Sequence, residues 1–178
     1  QKINHKSLLT IAVNTLNPEY LYINKQFKKI KDKRFDFILA IGGGKTIDTA
    51  KLIKYLFFVN NRKKKLIVLP TLFGSGTEIT DSAISYFDSR KYAKQSIELQ
   101  PTKIIYNFTI ASQAPRKNII YSALDCFCQS LESIWSIRCN TKSLKYAKQS
   151  LSISYSFLNS DLNNIEINQL QKMSEASI

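Results

Sequence analysis

The chain has 178 residues, 44% of them apolar, and carries 26 lysines and arginines against 13 aspartates and glutamates, a formal net charge of +13. That length holds one domain with a real core, or one domain and part of another, and with no apolar run long enough for a bilayer a soluble protein without a membrane partner is expected. The basic surplus would suit a nucleic-acid surface, but outside Lys28–Lys33 and Arg62–Lys65 the cations are scattered, and those two clusters fit a helix end and a helix-to-strand turn, so no nucleic-acid partner is expected.

The chain opens at Gln1 without methionine and without a secretory pattern, which reads as a fragment. Cys126, Cys128 and Cys139 form no CxxC pair, and their odd number argues against a disulfide framework; the expected compartment is the reducing cytoplasm. His5, the one histidine, reads as a surface residue.

In chain order, LLTIAV at 8–13 predicts a strand, and Asn17-Pro18 a helix start that runs to about Lys31, with Asn17 as cap. FDFILAI is a nearly continuous apolar run ending in glycine, the pattern of a strand buried on both faces of a parallel sheet. Thr46 to Phe58 predicts a helix, and LIVLP a second buried strand ending in the small-residue loop GSGT. Strand, glycine loop, helix and strand make a right-handed βαβ unit whose two glycine loops leave the carboxyl edge of the sheet, where open α/β sheets bind ligands. Short strands follow at Ala83–Phe87 and Lys103–Tyr106, with Asp88-Ser89 as a turn signal. Beyond Pro115 the pattern is helical, at Ile119–Trp135, Thr141–Leu158 and Ile167 onward, and glycine is absent after Gly76. The fold class is therefore α/β, with a domain boundary near Pro115: a Rossmann-like parallel-sheet domain over 1–115 and the start of an all-helical domain over 116–178. Phe127, Leu131, Ile134 and Trp135 recur at helical spacing and read as core.

The loop GGGKT matches neither standard phosphate motif. A triphosphate loop wants glycine where Leu39 stands, and the dinucleotide fingerprint wants one at Ile47. An anion is still favoured here over a bare tight turn, because three glycines allow close backbone approach, the N–H groups of Thr46, Ile47 and their neighbours mark a helix start, and Lys45 adds a full charge.

Three segments in this order resemble one family. GGGKTIDTAK is similar to the GGGSxxDxAK of the iron-containing, or group III, alcohol dehydrogenases; PTLFGSGTEIT (70–80) to their PTTxGTGSExT; and ALDCFCQSLESIWS (123–136) to their LDALTHAIEAYxS. KQSI (94–97), CQSLESIWS and SLKYAKQSL further resemble the phosphonoacetaldehyde reductase branch. The resemblance implies the dehydroquinate synthase-like fold, truncated here at both ends. It also implies an oxidoreductase passing hydride between NAD or NADP and a small aldehyde or alcohol, and a homo-oligomer at full length. It places cofactor contacts at Gly43, Gly44, Lys45, Thr71, Leu72, Thr80 and Lys94, and the residue that selects NAD or NADP before Gln1. It places a divalent iron or zinc at Asp125 and, one helical turn on, Gln129.

Departures accompany it. Gln129 replaces a histidine and is a weaker, neutral ligand. The two later histidine ligands are missing, Lys45 replaces serine, and Leu72 replaces threonine. Asp48, one turn into the helix, reads as a carboxylate that stabilises the helix start. The alternative function is a decayed or fragmentary nucleotide-binding protein without a complete metal site; a dehydroquinate synthase-like lyase ranks last. A serine hydrolase is excluded, since Ser75, Ser130 and Ser133 have no histidine as base.

Overall fold

The structure, a computed structural model, describes residues 8–178, so His5 lies outside the described residues. Phe37–Gly42 (β1) and Lys65–Pro70 (β2) pair in parallel, Phe37 with Lys65 through Gly42 with Pro70. Between them runs the crossover helix Gly44–Val59 (α2), preceded by Tyr20–Ile30 (α1). Ser82–Phe87 (β3) and Arg90–Gln95 (β4) form a separate antiparallel hairpin, and Lys103–Ile104 (β5) completes a sheet of order β1-β2-β5. After a short turn of helix at Phe108–Ala111 (α3) come Arg116–Trp135 (α4), Thr141–Leu158 (α5) and Ile167–Ala176 (α6). The βαβ unit and the helical second half thus form as the pattern predicts.

Three apolar clusters hold these parts. Ile23, Ile30, Ile53 and Phe57 join α1 to α2, with Phe27 and Phe35 edge-on to the Phe57 ring. Ala40, Ile47, Ala50, Leu66 and Val68 seat α2 on the sheet. The third gathers Phe73 from the loop after β2, Ala111, and the inner faces of α4, α5 and α6 through Ala123, Phe157 and Met173.

Several expectations are corrected. Residues 8–13 form no strand. The Ala12 carbonyl accepts from the Tyr22 hydroxyl instead, and Leu8 and Leu9 stay exposed. α1 begins at Tyr20 with Glu19 at the cap position, because the Pro18 carbonyl accepts from the Tyr86 N–H and Glu19 bridges to Tyr86 in the manner of a strand. β1 is buried on one face only. Helices cover Ile38 and Ala40, while Phe37, Leu39 and Ile41 are exposed among the described residues. β4 was not anticipated, since all six of its residues are exposed and no apolar alternation marks it. Its turn is legible: Asp88 and Ser89 both have positive φ, +49° and +60°, as a tight two-residue hairpin turn requires.

On α4 the buried stripe is Ile119, Ala123, Cys126 and Ser130, whereas Phe127, Leu131 and Ile134 are half-buried and Trp135 is exposed. Small residues win because α4 and α5 pack closely, with Ala147, Ser150 and Ser154 facing that stripe. Polar atoms in the interface are satisfied in series: Ser130 Oγ donates to Ser150 Oγ at 2.7 Å, which donates to the Ala176 carbonyl at 2.6 Å.

α5 starts at a reciprocal cap. Asn140 accepts from the Lys142 and Ser143 N–H groups, and the Ser143 hydroxyl lies within reach of the Asn140 N–H. Asn140→Ala is expected to lower the unfolding free energy by about 1 kcal/mol, read by urea denaturation.

Candidate functional site

Both glycine loops leave the carboxyl edge of the sheet and are tied together there, the Thr71 N–H donating to the Gly42 carbonyl at 3.1 Å. Gly42 and Gly43 of the first loop are not equivalent. Gly42 has φ +153°, and a Cβ there would stand 2.7 Å from Thr46 Oγ1. Gly43 has the ordinary values φ −83° and ψ −173°, and a Cβ there would meet only the flexible tip of Leu72, so the free protein does not demand glycine at this position. A ligand approaching the backbone would.

The amides also fall differently from expectation. Thr46 and Ile47 N–H both donate back to the Gly43 carbonyl, at 3.0 and 3.2 Å, and are not free. The N–H groups of Gly43, Gly44 and Lys45 have no acceptor among the described residues. Three consecutive donors at the start of a sixteen-residue helix are an arrangement suited to an anion.

Two clefts flank this loop and share Gly44, Lys45 and Leu72. One, of about 470 Å³, is bounded by Val13, Gly43, Thr46 and Thr71, and by Gln113 and Asn118 near the start of α4. The other, of about 460 Å³, runs between the second loop and α4, with Ser75, Thr77 and Thr80 on one side and Ser122, Asp125 and Gln129 on the other. Gly74 closes its floor so tightly that a Cβ would stand 2.1 Å from the Ser122 carbonyl oxygen.

The structure thus brings Gly43, Gly44, Lys45, Thr71, Leu72, Thr80, Asp125 and Gln129 to these two clefts. It does not bring Lys94. Pairing places Lys94 opposite Ala83, on the hairpin face turned to α2, where its ammonium lies 4.9 Å from the centre of the Tyr55 ring. Lys91, paired with Tyr86 on the other face, lines the second of these clefts instead. Lys45 at present donates to the Thr15 carbonyl, which fastens the 13–17 segment across the loop.

Asp48 does more than stabilise a helix start. It is buried and accepts from Thr77 Oγ1 at 2.5 Å, joining α2 to the second loop. Burial raises its pKa, opposed by the Thr77 and Ile84 hydrogen bonds and by the charges of Lys51 and Lys91. Glu78 is buried with one carboxylate oxygen unpartnered, and burial raises its pKa too. Beneath the second loop lies Lys51, a wholly buried lysine that sequence reading passes over.

A dinucleotide fits this arrangement: free amides, a cradle at Gly43 that a Cβ would narrow, and clefts on both sides of the loop. A metal does not fit the described residues by themselves. Asp125 and Gln129 offer one carboxylate and one neutral amide, and no group of three or more His, Cys, Asp or Glu suited to a metal occurs among the described residues. Among the described residues no helix is long and apolar enough to cross a membrane.

Relatives share this architecture. The iron-containing alcohol dehydrogenase of Thermococcus thioreducens superposes with a TM-score of 0.82 at 20% identity, over 95% of this chain and 51% of its own. The sulfoacetaldehyde reductase of Bifidobacterium kashiwanohense, solved in complex with NAD+, superposes with a TM-score of 0.79 at 20% identity, over 92% of this chain and 48% of its own. Among curated proteins, the 4-hydroxybutyrate dehydrogenase of Clostridium kluyveri is 28% identical over 132 residues, 66% of this chain and 35% of that protein. The mitochondrial hydroxyacid-oxoacid transhydrogenase of Caenorhabditis elegans is 31% identical over 141 residues, 66% of this chain and 30% of that protein. The chain therefore spans about a third of the length of these curated relatives. Residues 4–108, which hold both glycine loops and the hairpin, match the family described as iron-containing alcohol dehydrogenase. With that match over more than half its length, and a fold that sets both loops at one sheet edge, the chain belongs to the iron-containing alcohol dehydrogenase family.

Proposed function

We propose that this chain carries the nicotinamide-dinucleotide half of an oxidoreductase acting on a small aldehyde or alcohol. The observation that carries the reading is the run of three N–H groups at Gly43, Gly44 and Lys45 that have no acceptor among the described residues and lie beside a cleft on either side. Reduced nicotinamide, when bound, supplies hydride to a carbonyl carbon. The amides and the Lys45 ammonium would hold the diphosphate, with Thr71 and Leu72 beside it and Thr80 further along the second cleft. Asp48, braced by Thr77, keeps the glycine loop and the second loop at a fixed separation. Asp125 and Gln129 on α4 would face the reacting end of the substrate.

Lys45 and Lys91 both line the second cleft, which favours an anionic aldehyde such as a phosphonoacetaldehyde over a neutral one. The division near Pro115, the choice between NAD and NADP and a cytoplasmic setting belong to this reading. A nucleotide-binding protein without metal chemistry is the second reading, favoured by the two-donor set at Asp125 and Gln129.

Calorimetric titration with NADH and NADPH tests the first step. Saturable binding of one of them is expected, and Lys45→Ala should weaken it about tenfold, as loss of one charge-assisted hydrogen bond would. Absence of binding to either would sink the reading. Binding without aldehyde reduction in the presence of iron or zinc would favour the second.

A further inference from the structure

Lys51 is fully buried on the face of α2 turned to the second loop. Its ammonium donates to the Thr77 carbonyl, to the Thr80 carbonyl at 2.8 Å and to the Ser82 carbonyl at 2.9 Å, with Thr80 Oγ1 at 3.1 Å and Thr77 Oγ1 at 3.4 Å. The Thr77 and Thr80 carbonyls receive no backbone N–H among the described residues. An ammonium has three protons to give, and here all three have carbonyl acceptors on the loop. Thr77, Thr80 and Ser82 in turn line the second cleft, and Thr77 passes its hydroxyl proton toward Asp48. The wall of the cleft is thus built on one buried cation.

We propose that Lys51 is a positioning residue of the dinucleotide site: its ammonium holds Thr77, Thr80 and Ser82 in the arrangement that binds, and the wall slackens when that ammonium loses its proton. The proposal rests on the dinucleotide reading above for its binding consequence, but the clamp on the loop stands independently of it.

The proton is within reach of ordinary conditions. Burial pushes the Lys51 pKa down from 10.5 to about 8, against the carboxylates of Asp48, Glu78 and Asp81, which hold it up, and with Lys54, which pushes it further down. Asp48 and Lys54 belong to α2, Glu78 and Asp81 to the second loop. The sign for overall stability is opposite to the sign for binding. Since the folded pKa lies below the unfolded one, the unfolded chain holds this proton more tightly between about pH 8 and 10.5, and Lys51 adds stability as the pH rises through that window. A merely structural lysine would move melting temperature and leave affinity alone; a positioning lysine makes affinity fall as the pH rises while its own contribution to stability does not.

The test is calorimetric affinity for the dinucleotide from about pH 6.5 to about pH 9.5 for the unaltered chain, Lys51→Arg and Lys51→Met, beside their melting temperatures. For the unaltered chain, affinity is expected to fall about tenfold as the pH passes 8, with no matching loss of melting temperature from this group. Lys51→Arg should flatten the profile, because arginine keeps its charge, and Lys51→Met should bind weakly throughout. A pH-independent affinity in the unaltered chain, or a falling profile retained in Lys51→Arg, overturns the proposal. Hydrogen exchange of the 77–82 amides at neutral pH gives a separate reading. Faster exchange in Lys51→Met than in the unaltered chain supports the clamp, and equal exchange overturns it. If no dinucleotide binds the unaltered chain at any pH, the functional reading fails and the exchange result alone decides the clamp.

Discussion

Gly74→Ala is expected to lower the unfolding free energy by about 3 kcal/mol, at the upper end of the usual overpacking range. An alanine methyl would stand 2.1 Å from the Ser122 oxygen, 2.8 Å from its carbonyl carbon and 3.0 Å from its Cα. These are backbone atoms in the second turn of a twenty-residue helix, so no rotamer change relieves the clash. Either the second loop lifts or α4 moves. Phe73, the next residue back, is buried in the helical core, which opposes the first. Movement of α4 would carry Ser122, Asp125 and Gln129 away from the glycine loop together. The measurement is urea denaturation of Gly74→Ala beside the parent; a loss under about 1 kcal/mol would show that the loop and α4 are not pressed together.

Gly43→Ala should behave in the opposite way. Its φ and ψ suit alanine, and the nearest atom to the added methyl is Leu72 Cδ1 at 2.9 Å, which can swing aside. Stability should change by less than about 1 kcal/mol, and a small gain is expected from the stiffer unfolded chain. Dinucleotide affinity should nevertheless fall about a hundredfold, ~2.7 kcal/mol, because the methyl enters the space where a diphosphate must meet the three amides. An unchanged Kd at unchanged stability would remove Gly43 from the site. Together the two variants separate a glycine required by packing from one required by a ligand.

Much of this was legible in the residue order, for physical reasons that differ by element. α5 covers Thr141–Leu158 as its periodicity predicts, and the βαβ unit follows from two apolar runs, each ending in glycine or small residues. Residues 8–13 are as apolar as a strand, but a strand needs a partner ladder, and here the Ala12 carbonyl is taken by Tyr22 and, just beyond, that of Thr15 by Lys45. β4 escaped notice because its stability comes from the turn and from pairing with β3, and none of its residues is buried. The exchange of Lys94 for Lys91 at the cleft turns on hairpin register: three positions along a strand reverse the face, and the register is set by the positive-φ pair Asp88-Ser89. Lys51 looks like any surface lysine on a helix until the 77–82 loop, more than twenty-five positions away, is folded onto it. Its place in the GGGKTIDTAK motif was the available signal, and the motif alone does not say what the lysine holds.

The contact between α4 and α5 through Ala123, Cys126 and Ser130 on one side and Ala147, Ser150 and Ser154 on the other acts as a gauge for the cleft. Asp125 and Gln129 each sit one position before a residue of that stripe, so whatever thickens the stripe rotates or lifts the cleft-facing side of the same helix. The opening between Asp125 and the glycine loop is therefore calibrated by the size of the alanine, cysteine and serine side chains of that stripe, and the substitutions that retune its width lie on the adjoining face of the helix, about 100° around from the cleft.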